Sequence, residues 1–273
     1  MKLKIPCLKV KVLLFFLLFP IHSSLFTVSH AAHPLITDDT GTQGKGKFQL
    51  EINSEFTYDK EREFNEDVGD YVTVKNTGGE IATILSYGIS DNMDMVLGLP
   101  YQWTKTKEES HVTSDEDGIS DMSFEVKWRF YEKEGLSFAL KPRLTLPTGE
   151  EEKGLGAGRA TYSVFLITTK EIEPWAFHLN LGYIRNENKV DERKDIWHVS
   201  LASTVEVIKD IKLVADIGAE RNLDKASNTH PAFILGGLIY SISENFDIDF
   251  GIKGGLNKPE TDYSLLAGIT WRF

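Results

Sequence analysis

Met122-Ser123-Phe124-Glu125-Val126-Lys127-Trp128-Arg129-Phe130 decides which fold this chain can adopt. Successive side chains of an extended strand point to opposite faces. Met122, Phe124, Val126, Trp128 and Phe130 therefore share one face, and Ser123, Glu125, Lys127 and Arg129 share the other. The charged face needs water beside it, while the opposite face needs an apolar medium.

The alternation continues toward both ends. On the N-terminal side, Phe48, Leu50, Ile52, Phe56 and Tyr58 oppose Gln49, Glu51, Asn53, Glu55 and Thr57. Ile81, Leu85, Tyr87 and Ile89 oppose Glu80, Ser86 and Gly88; Met95, Leu97, Leu99 and Tyr101 oppose Asp94, Gly98 and Gln102. On the C-terminal side the pattern returns in eight segments, within 136–146, 162–166, 175–183, 197–207, 213–219, 232–242, 246–252 and 263–273. The segment from Ala232 to Ile242 is apolar on both faces, which leaves its register open. Twelve segments of period two predict an all-β protein.

The connections alternate in length. Tight turns are expected at Asp91-Asn92, Lys133 to Gly135, Glu171 to Glu173, Lys209-Asp210 and Glu244-Asn245. Long polar loops are expected at Lys60 to Asn76, Thr104 to Asp117, Thr148 to Ala157, Glu187 to Lys194, Asn222 to Asn228 and Asn257 to Thr261. Short turns on one rim and long loops on the other are the pattern of a transmembrane antiparallel up-and-down β-barrel of the outer membrane of Gram-negative bacteria. An even strand count returns both ends to the short-turn, periplasmic rim. A soluble sandwich also alternates, but it has less reason to set Tyr101, Trp128, Trp175, Tyr183, Trp197, Tyr263 and Trp271 near segment ends, where amphipathic rings settle at a membrane interface.

The first 31 residues read as a cleaved signal peptide. Lys2, Lys4, Lys9 and Lys11 precede an apolar stretch from Val12 to Ile21, and Ser29 and Ala31 suit a signal-peptidase site. About ten apolar residues are too few for a spanning helix. Cys7 precedes that stretch and cannot serve as a lipidated cysteine after it. Cleavage would leave 26 basic residues (30 less four) against 41 acidic ones, a formal charge of −15. Such a balance offers no basic footprint for nucleic acid, and the chain that remains has no cysteine for a disulfide framework. The expected organisation is a signal peptide over 1–31, a periplasmic N-terminal segment over 32–46 and a barrel over 47–273.

Several stretches carry a family resemblance: His33-Pro34-Leu35-Ile36-Thr37-Asp38-Asp39-Thr40-Gly41-Thr42-Gln43-Gly44-Lys45-Gly46-Lys47, Tyr87-Gly88-Ile89-Ser90-Asp91-Asn92-Met93-Asp94, Gly98-Leu99-Pro100-Tyr101 and Leu146-Pro147-Thr148-Gly149. The chain resembles a family of outer-membrane proteins known as transporters or as "meta-pathway of phenol degradation" proteins. The resemblance implies uptake of aromatic compounds. The Phe273 terminus, with apolar residues at every second position before it, is similar to the signal read by the barrel-assembly machinery.

Candidate chemistry lies on the inward face. Glu51, Glu55, Glu125, Lys127, Arg129, Lys141, Arg143, Arg159, His178, His198, Asp216, Asp249 and Arg272 are expected to line the lumen, and Thr37, Asp38, Asp39 and Gly41 to cap or line its periplasmic mouth. Opposed charges across a pore set a transverse field that orients polar or anionic solutes, or they pair and fill the lumen. His198 and Ser200 share one face, as in outer-membrane lipid hydrolases, but their apolar neighbours Trp197, Val199 and Leu201 turn them inward, and no third group is evident in the sequence. Asp38-Asp39 and Asp115-Glu116-Asp117 lack calcium-loop spacing, so no metal and no cofactor is expected. The resulting expectation is a passive diffusion channel, not an enzyme, with outer-membrane lipid, the assembly machinery and a small-molecule solute as partners. The alternatives are a non-conducting structural or adhesive barrel, or a lipid-modifying enzyme.

Overall fold

The computed structural model describes residues 33–65, 69–109 and 111–273; the expected signal peptide over 1–31 lies outside the described residues. Thirteen strands form one sheet: β1 (Phe48–Asn65), β2 (Asp70–Ser90), β3 (Met93–Glu108), β4 (His111–Ile119), β5 (Met122–Lys133), β6 (Leu136–Leu146), β7 (Thr161–Ile172), β8 (Trp175–Arg185), β9 (Asp195–Ile208), β10 (Ile211–Glu220), β11 (Ala232–Ser243), β12 (Phe246–Gly255) and β13 (Tyr263–Arg272). Every pairing is antiparallel, and β1 bonds to both β2 and β13, so the sheet closes on itself. Phe48 N donates to Phe273 O at 2.8 Å and Phe273 N to Phe48 O at 3.0 Å, which seals the first strand to the last.

Thirteen strands make twelve staves. β3 pairs with β5 from Met93 to Gly98 and with β4 from Tyr101 to Glu108, so β4 and β5 share one position in the wall. The break falls at Ser120-Asp121, opposite Pro100. Proline has no N–H to give a ladder, and the interruption sits where that donor is missing. The expected twelve-stave barrel is therefore the fold, with its C-terminal residue at the seal.

Exposure decides which side of the wall is which. Ile52, Phe56, Leu201 and Trp271 are 39%, 40%, 48% and 52% exposed, whereas Asp94, Glu125 and Asp216 are buried. A soluble protein has the reverse order. Apolar side chains outside and charges inside belong to a wall with lipid outside it. Aromatic pairs mark the two edges of that band: Phe48 and Phe273 stack at 5.7 Å on the tight-turn rim, and Tyr58 and Tyr263 stack at 5.1 Å toward the other.

Two expected loops are strands instead. The stretch Lys60 to Asn76 continues β1 and β2 as a hairpin in unbroken register up to Asn65↔Asp70, and Thr104 to Asp117 continues β3 and β4. Both project past the apolar band, where charged and polar residues outnumber the apolar Phe64, Tyr71, Val72, Val74 and Val112 and the hydrophobic alternation is weak. The tight turn expected at Glu171 to Glu173 sits slightly later, at Glu173-Pro174, after β7 ends at Ile172. β11, apolar on both faces in sequence, has a definite register: Phe233, Leu235 and Ile239 are buried inside, and Ile234, Leu238, Tyr240 and Ile242 face out.

Candidate functional site

The chain N-terminal to β1 does not stay at the mouth. From Gly46 back to His33 it turns into the barrel and follows the inner wall past most of the staves. Gly46 N donates to Gly88 O at 2.8 Å, and a Cβ on Gly88 would sit 1.9 Å from Gly44 O, so this close approach requires glycine. Gln43 N donates to the Asp94 carboxylate at 3.0 Å, and Thr42 Oγ1 to Asp91 O at 2.9 Å. Thr40 N donates to Thr169 Oγ1 at 3.1 Å on β7, while the Thr40 hydroxyl meets Ser137 Oγ on β6. Asp39 accepts from Gly41 N at 2.7 Å, a tight Asx-type turn that explains the Asp39-Thr40-Gly41 spacing.

Charge fixes the middle of the segment. Asp38 lies between Lys127 and Lys141, each ammonium 2.8 Å from one carboxylate oxygen, and Asp39 is 3.6 Å from Lys127. With its amide oriented to satisfy both neighbours, Asn180 on β8 accepts from Asp38 N at 2.7 Å and donates to Asp38 O at 2.9 Å. Asp216 on β10 accepts from Ile36 N at 2.9 Å, Thr37 N at 2.8 Å and Thr37 Oγ1 at 2.6 Å. Buried carboxylates with two or three good donors are held firmly, because removing any donor leaves a charge unpaired.

The segment ends on an apolar seat. Leu35 packs against Val214, Phe233, Leu235, Ile239 and Leu266. Pro34 lies over Gly237 and Gly251, where an added Cβ would come within 2.8 and 2.7 Å of its ring. His33 Nδ1 meets Asp249 Oδ1 at 2.5 Å. This seat supplies the physical reason for the doubly apolar β11: one face meets lipid and the other meets Pro34-Leu35.

A cavity of about 410 Å³ remains beside the segment, within the range of about 300–1,000 Å³ typical of small-molecule sites. Glu51, Glu80 and Gln102 line one side, Lys141 and Arg143 the other, and Thr37, Asp38 and Gln43 contribute from the segment. Glu125 sits between Lys141 and Arg143 at 2.7 Å from each. Glu51 is held by the amides of Gln49 and Asn53, and Glu80 by that of Gln102 at 2.6 Å. β5 and β6 pair most of their charge locally, while β1 and β2 present Glu51 and Glu80 to the same cavity as a half-exposed Arg143. Toward the rims, Lys253 meets Glu55 at 2.9 Å, and Arg272 meets Asp247 at 2.7 Å.

The remaining expected residues have other placements. Arg129 points to the tight-turn rim, donating to Asp91 O at 3.1 Å and meeting Glu132 at 3.2 Å. His178 is buried under the segment with Thr169 Oγ1 3.0 Å from its Nδ1. Arg159 is not on the wall: it is exposed in the loop before β7, because its strand begins only at Thr161. His198 has the third group that the sequence left unseen. Its Nε2 is 3.1 Å from Ser200 Oγ, and its Nδ1 is 3.3 Å from Glu220 on the adjacent strand. Ser200 is buried, and Phe165 lies edge-on to His198, which encloses the hydroxyl.

Outer loops close over the opposite end. Asp121, freed by the break between β4 and β5, accepts from Gly149 N at 2.9 Å and Ala157 N at 2.8 Å, drawing the loop with the 3-10 turn Glu151–Lys153 onto the rim. Lys189 bridges to Glu151 at 2.5 Å, and Lys225 pairs with Asp191, so three loops are clasped together. These hydrogen-bonded cations hold the Glu151 and Asp191 carboxyls below their ordinary range; Lys194 and Arg185 do the same for Glu187.

Solved structures share this architecture. An outer-membrane channel from Pseudomonas putida F1 is 13% identical, with 86% of this chain and 98% of that one covered and a TM-score of 0.65. The translocator domain of the autotransporter NalP from Neisseria meningitidis is 12% identical, with 84% and 89% covered and a TM-score of 0.52. The KdgM porin in complex with disordered oligogalacturonate is 8% identical, with 82% and 99% covered and a TM-score of 0.53. At these identities the likeness speaks for the outer-membrane barrel fold alone. No match emerges among curated proteins. A family model covers residues 37–273, from the inserted Thr37 to the sealing Phe273, and the chain belongs to that family, described as "Putative MetA-pathway of phenol degradation".

Proposed function

We propose that the protein is a passive diffusion channel of the outer membrane for small solutes, aromatic or anionic. The observation that carries this reading is the charged cavity of about 410 Å³ between the outer mouth and the inserted segment. Its Lys141 and Arg143 suit a carboxylate or phenolate. The family description points toward aromatic compounds. No energy-coupling element is needed, since a gradient can drive flux. Insertion would proceed through the assembly machinery by way of the strand ending in Phe273.

Reconstitution into planar bilayers tests the proposal. Discrete conductance steps, reduced by a small aromatic acid on the loop side, are expected. A silent membrane containing heat-modifiable, folded barrel would favour the second reading, a non-conducting barrel stabilised by its inserted segment. Lipid modification is a third reading, raised by His198, Ser200 and Glu220. Labelled phospholipid should not turn over, and Ser200→Ala should leave conductance unchanged; turnover lost in that variant would establish an enzyme.

A further inference from the structure

On β1 to β3 the sheet above the apolar band segregates charge by face, whereas β4 sets Asp115 and Asp117 on the outward face opposite Lys105 and Trp103. Along β1, Tyr58-Asp59-Lys60-Glu61-Arg62 alternates acid and base, and the register with β2 is continuous from Phe48↔Tyr87 to Asn65↔Asp70. The parity of the lipid-facing Phe56 and Tyr58 therefore carries straight to Lys60 and Arg62, while Asp59 and Glu61 take the inward parity. The β2–β3 register is equally unbroken from Gly88↔Asp94 to Val74↔Glu108. It aligns Lys60 with Lys75 and Lys75 with Lys107, one lysine on each of three neighbouring strands, all on the outward face.

A row of this kind is unfavourable on its own. Neighbouring strands are about 4.8 Å apart, and like charges directly opposite one another destabilise a sheet. None of the three ammonium groups forms an ion pair among the described residues. Of the nearby carboxylates, Asp115 pairs with Lys105, while Glu109 and Asp262 accept backbone N–H groups of Thr73 at 2.7 Å and Lys60 at 3.1 Å and do not reach the three ammonium groups. Across the barrel, the rim cation Arg185 has two partners within 2.8 Å, Glu187 and Asp195. The lysine row thus lacks the counter-charge that a cation elsewhere on the same rim receives.

Its height says what supplies that charge. From Phe48 to Tyr58 the strand rises ten residues, about 26 Å of membrane at about 3.4 Å per residue and a tilt of about 40°. Lys60 stands two residues beyond the Tyr58–Tyr263 stack, about 5 Å higher by the same geometry, on the side that faces lipid. That is the headgroup layer of the outer leaflet, where the phosphates of a phosphorylated glycolipid lie. We infer that Lys60, Lys75 and Lys107 form a binding site for the phosphate groups of the outer-leaflet glycolipid, lipopolysaccharide. Arg62, 5.7 Å over the Tyr71 ring, flanks the row and extends the site along the headgroup.

The test uses the full barrel, extracted in mild detergent and freed of divalent cations with EDTA. Its unfolding midpoint is followed on titration with bisphosphorylated lipid A, the same lipid dephosphorylated, and inorganic phosphate. The midpoint should rise with lipid A alone, and K60Q/K75Q/K107Q should weaken that response at least tenfold. A variant neutralised at the opposite rim, K45Q/K47Q/K133Q, should respond as the unmodified protein does. Heat-modifiable gel mobility confirms that each variant is folded, and K75Q alone should give an intermediate loss. Equal responses in the triple variant and the unmodified protein would overturn the site. A response of equal size to dephosphorylated lipid would do so as well, and one to inorganic phosphate would replace the glycolipid by a free anion.

Discussion

Thr37 reaches Asp216 with both its backbone nitrogen and its hydroxyl, 2.8 Å to Oδ2 and 2.6 Å to Oδ1, across 179 residues of sequence. Ile36 N adds a third bond to the same carboxylate. Hydrogen bonds to a charged acceptor contribute about 1.5–3 kcal/mol each. Asp216→Ala should therefore release the N-terminal half of the inserted segment while the wall stays closed. Limited proteolysis from the tight-turn side should cut near Thr37, and single-channel conductance should rise. Unchanged conductance in a cleaved, folded variant would show that the segment does not narrow the path.

The Asp38 triad gives a second prediction. Asp38→Ala leaves Lys127 and Lys141 facing each other with Asp39 and Glu125 as remaining anions. Breaking a buried pair from one side costs about 3–5 kcal/mol, whereas removing both partners costs less. Urea unfolding of Asp38→Ala, Lys127→Met and the double variant should give a non-additive cycle with a coupling of about 1–3 kcal/mol. Additive losses would mean that the pair is screened by lumen water.

The fold was legible where a strand had one face in lipid. Phe124, Trp128 and Glu125 declare their sides by chemistry alone, and the wall follows from them. The hairpin tips were less legible, because in the β1–β2 tip only Val72 and Val74 are buried apolar residues, too short an alternation to mark a strand on its own. The acid–base alternation from Asp59 to Arg62 is a period-two signal of its own, though not a hydrophobic one. The lumen side was legible as a set of charges but not as a set of partners. Nothing local to Thr37 announces Asp216, and nothing beside Ala232 announces Pro34. Glu220 was likewise hidden, since register alone brings it to His198. The distance in sequence is the obstacle: the segment before β1 meets partners as far along the chain as Asp94, Asn180, Asp216 and Asp249.

Acid should loosen the outer loops before it affects the wall. Glu151, Glu187 and Asp191 have carboxyls held below their ordinary range by Lys189, Lys194 and Lys225. A folded carboxyl lowered in this way stabilises the clasp fully above its ordinary value, 4.5 for glutamate and 3.8 for aspartate, and that contribution fades as pH falls through the lowered value. Hydrogen exchange over 148–160 and 186–194 should therefore be flat from pH 7 to 5, after correction for intrinsic rates, and accelerate below about pH 4. Lys189→Met should remove part of that step.

Gly251 offers the cleanest way to move the segment without touching the wall. An added Cβ there would lie 2.7 Å from Pro34 Cβ and 3.0 Å from its Cγ, and the next atom, Gly236 O, is at an ordinary 3.7 Å. Pro34 alone must therefore give way in Gly251→Ala. Its displacement would lift Leu35 from the seat formed by Phe233, Leu235 and Leu266, and a loss of that burial costs about 1.5–3 kcal/mol. Conductance should rise as it does in Asp216→Ala, while the heat-modifiable gel shift persists. Combining Gly251→Ala with Pro34→Gly removes the clash and should return conductance toward the original level. Failure of that rescue, with both variants folded, would mean that the glycine serves the strand and not the segment lying on it.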